Sequence, residues 1–255
     1  MLETSLKRGV LAGLVAGIPY GLYVALVASP LLGYVEAVGG SHGHEHVHGD
    51  GHAGAAEHAG AVSDLTGTIV SAAGGVLWAI LLASALAVAY FVLEPALPGR
   101  GAVKAFVLGA AGFVSLSVVP WLVLPPTAPG AAASVGVDAR LAIYAGLVGV
   151  GLLTSGAAIV GYRRVRSRGR LPAVAVALLP VCLVMGTLAA AAPTIVSQPA
   201  VDAALLAAVQ GAAAVSQGAL WAGIAGAYAG LSGVAACRPT ATTEYDVDRR
   251  PAPEP

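Results

Sequence analysis

Charge is scarce in this sequence. Lys, Arg, Asp and Glu together make up 10% of 255 residues, against about 25% in a soluble domain, so too few polar side chains exist to cover a water-facing surface of this size. Cysteine is nearly absent: Cys182 and Cys237 are too few and too far apart for a disulfide framework or a thiolate metal motif. No G-x-x-x-x-G-K-[ST] run occurs, which excludes ATP hydrolysis by a P-loop. No nucleophile and base pair is visible, so an enzyme is not expected. With a net charge of +0, neither is a nucleic-acid partner. Histidine is missing everywhere except between His42 and His58.

What is present is apolar: 57% of residues are hydrophobic, and the mean hydropathy is +0.82. A bilayer core takes about 20 apolar residues in a helix. Six runs meet that length, approximately Gly9 to Leu32, Thr68 to Leu93, Ala102 to Leu124, Ala139 to Tyr162, Leu171 to Ala192 and Ala203 to Val234. The expected fold is all-α, a polytopic membrane helix bundle over residues 1–237. A histidine-rich loop at 39–64 joins the first two spans. The polar tail 238–255, with three prolines near its end, is expected to be disordered. Lys7-Arg8 ahead of the first run resembles a signal peptide, but the run is too long and its end a poor cleavage site, so a retained helix is expected.

Positive charge collects in cytoplasmic loops. An N-in start puts every Lys and Arg except Arg140 inside, and leaves all the histidines outside. N-in/C-in is the topology expected, in the cell membrane of a prokaryote with the lipid bilayer as solvent.

His42, His44, His46 and His48 alternate, and His52 and His58 follow. An extended chain would put the first four on one side, and a helical turn would pair His42 with His46. Either arrangement can bring two imidazoles to one metal. Interspersed glycines argue for a flexible segment ordered by the metal itself. Nitrogen donors with nearby carboxylates and no thiolate suit Co(II), Ni(II) or Zn(II) better than Cu(I). The bland reading is low-complexity drift with weak, unselected affinity.

No ionisable side chain lies mid-span, which disfavours a self-contained proton-driven exchanger. Pro19 interrupts the first run and either frees a carbonyl for a cation or simply kinks the helix. Gln210 and Gln217, seven apart with Ser216 beside them, are either path-lining or interhelical hydrogen-bond partners. Cys182 and Met185 are a soft-ligand pair or, more simply, packing residues. Small residues from Gly146 to Gly151 and from Gly218 to Gly230 predict tight helix packing and permit a homo-oligomer.

Three segments resemble a known family. They are the end of the first span, Ser29-Pro-Leu-Leu-Gly-Tyr-Val-Glu-Ala37, the histidine loop after it, and Val118-Val-Pro-Trp-Leu-Val-Leu-Pro-Pro-Thr-Ala-Pro-Gly130. The last is similar to the Leu-Pro-Pro-x-x-Pro-Gly signature of the CbtA family of predicted cobalt transporter subunits. The resemblance implies cobalt import in support of cobalamin biosynthesis, a small CbtB-like membrane partner with its own histidine motif, and five spans where six are counted here.

Residue pattern and resemblance converge on a permease subunit for a divalent transition metal, with Co2+ first and Ni2+ or Zn2+ possible as the ion carried. His42, His44, His46, His48, His52 and His58 would capture the ion outside. Glu36, closing the first span, and Asp64, opening the second, would hand it inward. Asp202 is a further carboxylate on that face, and all three carboxylates are also ordinary helix-end residues. The alternative is a membrane-anchored metal-binding or sensing protein that buffers metal without moving it.

Overall fold

The computed structural model describes residues 2–40, 53–127, 132–191, 196–197 and 202–236. Helix α1 (Leu2–Tyr23) passes through a π-turn (Val24–Ala28) into α2 (Ser29–Gly40). Next come α3 (Ala53–Leu93), then α4 (Ala102–Phe113), a second π-turn (Val114–Val118) and the short α5 (Val119–Trp121). The chain continues through β1 (Ala132–Ala133), α6 (Val137–Val165), a 3-10 turn (Arg166–Arg168), α7 (Arg170–Ala191), β2 (Val196–Ser197) and α8 (Ala203–Ala236). Among the described residues six helices are long and apolar enough to cross a membrane, as the six apolar runs predict.

The margins differ from the apolar runs. The first helix is described from Leu2, and Glu3 and Lys7 form an i,i+4 ion pair at 2.7 Å there, which supports a helical turn outside the apolar stretch. The second begins at Ala53: Ala-Gly-Ala-Ala-Glu-His-Ala is rich in the best helix former, and extending an existing helix needs no new nucleus. The segment between the first two spans is therefore helical at both ends.

Both π-turns have the same cause. The Ser29 amide bonds the Val24 carbonyl and the Val119 amide bonds the Val114 carbonyl, five residues back. The next residue in each case is a proline, Pro30 or Pro120, which brings no N–H and whose ring crowds the preceding turn. Widening the helix by one residue relieves that crowding. Helix α1 runs through Pro19, so the distortion of the first span lies ahead of Pro30 and not at the proline singled out above.

The core is a close-packed set of α1, α3, α4 and α8. Ser5, Gly9, Gly13, Gly17 and Gly21, each four residues from the next, are all buried on α1. A β-carbon built at Gly13 would stand 2.5 Å from the Ile80 α-carbon, and one at Gly9 would stand 2.6 Å from the Ala87 β-carbon. Only glycine permits backbones this close. At one end of the stripe the Ser5 hydroxyl donates to the Ala87 carbonyl at 3.2 Å and lies 2.7 Å from the Tyr228 hydroxyl. That clasp joins the first, second and last spans. The outer surface is apolar, with Leu171 85% exposed, as lipid contact requires. Cys182 is exposed there as well, so it does not pack in the core.

On the opposite face the two proline-bearing loops meet. Ala132 pairs with Ser197 and Ala133 with Val196 in an antiparallel bridge.

Candidate ion-entry site

The face that carries Asp202 and the Pro125-Pro126 loop is where the histidine segment emerges. His42, His44, His46, His48 and His52 lie outside the described residues. Glu36 belongs to α2, and His58 and Asp64 belong to α3; their side chains are outside the described set. Asp202 has a defined role: its Oδ2 accepts the Ala204 amide at 3.0 Å, and its carbonyl accepts the Leu206 amide at 2.9 Å. It caps α8. Among the described residues no three His, Cys, Asp or Glu side chains gather around one point.

Beneath this face, α2 leans on the start of the last span, with Val35 and Val209 buried against each other. A cavity of about 270 Å³ opens between the first π-turn, the end of the third span and α8, lined by Tyr20, Tyr23, Trp121, Thr127, Ser216 and Gln217, among others. A single water needs only about 10–15 Å³ of such space, so a hydrated ion fits. The walls carry neutral oxygen donors on an apolar frame. The Tyr20 hydroxyl donates to Gln217 Oε1 at 3.4 Å, and the Tyr23 hydroxyl donates to the Ala212 carbonyl at 3.3 Å. Ser216 donates to the Ala213 carbonyl at 3.0 Å. Gln210 Nε2 reaches the Pro126 carbonyl at 3.5 Å and ties the proline loop to α8.

Gln217 is thus an interhelical partner that also lines the cavity, whereas Gln210 bonds a loop. The π-turn residues Val24 and Ala28 form part of the same wall, so Pro30 shapes the cavity through the helix it widens. Thr127 separates this cavity from a shallower hollow that holds Arg140, the one Lys or Arg on this face among the described residues, whose Nε is buried without a partner. The Arg140 charge makes the α6 side of the proline loop the less favourable one for a cation.

Downward, the cavity ends at the Tyr20–Gln217 bond. Below it α1 and α8 pack closely: a β-carbon built at Gly223 would lie 3.3 Å from that of Ala16.

The family model described as probable cobalt transporter subunit (CbtA) matches residues 2–233, nearly the whole chain. The chain belongs to the CbtA family. No curated protein and no solved structure matches it. With six apolar spans and membership of CbtA, it is a multi-pass cell membrane protein. The family description makes a CbtA protein a subunit and a metal its cargo.

The sequence reading missed Tyr20, Tyr23 and Trp121. Tyr20 and Tyr23 are three apart and followed by the proline-induced widening, a signal that was present but not distinctive. The serine and glycine repeat at every fourth residue of α1 was the plainer omission.

Proposed function

We propose that this chain is the membrane subunit of a cobalt importer that works with a small histidine-bearing membrane partner and supplies cobalamin synthesis. The observation that carries the reading is the uncharged cavity, mostly apolar with a few hydroxyl and amide oxygens, beneath the face from which the histidine segment emerges. His42, His44, His46, His48, His52 and His58 raise the local concentration of Co2+, and Glu36 and Asp64 receive it at the mouth. The cavity then holds the ion with its water. Hydroxyl and amide oxygens without a carboxylate suit a cation in transit: they replace part of its hydration without the strong pull of a charged ligand. Selectivity for cobalt over nickel or zinc is assigned to the loop and the partner.

The orientation that follows is N-in/C-in. Arg163 Nη1 donates to the Ala96 carbonyl at 3.1 Å and Lys104 pairs with Glu94 at 3.3 Å, so the basic loops lie together on the face opposite the cavity. Cytoplasmic placement of that face obeys the positive-inside bias. The chain performs no covalent chemistry in this reading.

One observation favours the second reading, a membrane-anchored metal-binding protein: the closed packing beneath Tyr20 and Gln217. Uptake of trace radioactive cobalt separates the two, in cells expressing the chain with and without the small partner. An importer gives accumulation inside cells that excess cobalt blocks. Surface capture without accumulation, with the partner present, refutes transport.

A further inference from the structure

A second cavity, about 460 Å³ and apolar, lies on the bundle's outer flank between α4, α6 and α7. Its walls include Val103, Val107 and Val114 on the third span, Tyr162 on α6, and Val174 and Leu178 on α7. At 1.5 Å per residue, the stretch from Val103 to Val114 is about 17 Å long, close to the depth of one hydrocarbon leaflet, about 15 Å.

An arginine stands within about one turn of a groove-lining residue on each of the three chain segments. Arg100 stands one turn before Val103, whose amide bonds the Arg100 carbonyl at 3.2 Å. Arg166 stands one turn beyond Tyr162, and its amide bonds the Tyr162 carbonyl. Arg170 opens α7 four residues before Val174, after a turn at Gly169 with φ 129°. The nearby cations Lys104 and Arg163 are engaged with Glu94 and the Ala96 carbonyl, whereas no carboxylate among the described residues pairs with Arg100, Arg166 or Arg170. All three are exposed. The positive-inside bias accounts for arginines in these loops. It does not account for three of them, unpaired by any described carboxylate, standing within a turn of the lining of one groove.

We infer that this groove is a binding site for an anionic glycerophospholipid. An acyl chain fills the valine-lined cleft, the Tyr162 ring sits at the headgroup level where amphipathic aromatics belong, and Arg100, Arg166 and Arg170 surround the phosphate. Arginine's planar fork favours phosphate oxygens, and basic pockets between helices are the usual seat of anionic headgroups. The inference does not depend on what the protein transports.

The test uses the full chain purified in mild detergent and titrated with phosphatidylglycerol or phosphatidylcholine, with bound lipid read by native mass spectrometry. One tightly held phosphatidylglycerol per chain is expected, and no comparable phosphatidylcholine. Combining Arg100→Gln, Arg166→Gln and Arg170→Gln should weaken phosphatidylglycerol binding on the order of a hundredfold, at roughly fivefold per charge. Arg164→Gln with Arg168→Gln should leave it unchanged. If the triple variant fails to insert, Ala177→Phe, which fills the groove and keeps every charge, carries the test and should abolish the tight site. Equal retention of phosphatidylcholine, equal loss in the Arg164 and Arg168 control, or unaltered binding in the Ala177 variant overturns the inference.

Discussion

Tyr144 gives its hydroxyl proton to the Leu116 carbonyl at 3.0 Å. Leu116 is four residues before Pro120, so its carbonyl is the one that loses a helical N–H donor to the proline. A side chain from α6 thus repairs a backbone break in the third span, and the proline becomes a point of attachment between helices.

Removing that repair should destabilise the bundle without touching the cavity. Tyr144→Phe leaves the carbonyl unpaired and is expected to cost about 1 kcal/mol. Thermal unfolding in detergent should show a lower midpoint, and cobalt binding to the outer face should be unaltered.

Glycines of similar appearance should respond in opposite ways. Gly13→Ala would place its β-carbon 2.5 Å from the Ile80 α-carbon, whereas a β-carbon at Gly146 meets nothing within 4 Å. Separation of α1 from α3 should lower the yield of folded Gly13→Ala protein severalfold. Gly146→Ala should match the parent within about 0.5 kcal/mol. Size-exclusion profiles of the two variants compare them directly.

Gln217→Leu removes the acceptor for Tyr20 and one neutral oxygen from the cavity wall. Cobalt uptake at saturating metal should fall severalfold while the protein stays folded. Uptake equal to the parent would exclude this cavity from the path.

Replacing all six histidines with alanine should act differently, since a capture loop matters only when metal is scarce. Uptake at limiting cobalt should drop about tenfold or more, and uptake at excess cobalt should approach the parent. Normal uptake at limiting cobalt would remove the loop, and Glu36 and Asp64 with it, from the entry route.

The spans were legible because a bilayer demands a length of apolar chain that nothing else in the sequence imitates. Their ends were less so. Glu3 and Lys7 extend the first helix through a charge pair that hydropathy counts against it, and the alanines after His52 extend the second through propensity. Tyr20 and Gln217 were legible as residue types and not as a pair: which helices touch depends on the surfaces of both. The stripe from Ser5 to Gly21 was readable from spacing alone and specifies the α1–α3 contact most directly. Pro30 and Pro120 announce a break but not its form, because either a kink or a widened turn relieves the clash.

The clasp of Ser5 with Ala87 and Tyr228 also sets an order of assembly. Its two hydroxyls are separated by 223 positions in the chain, so the first helix enters the bilayer long before its last partner has been synthesised. Until α8 arrives, Ser5 has the Ala87 carbonyl and no Tyr228, and the side of α1 destined for α8 faces lipid. A chain cut short before Tyr228 would hold most of its helices and lack the contact that closes the bundle, which makes such fragments natural substrates for membrane quality control.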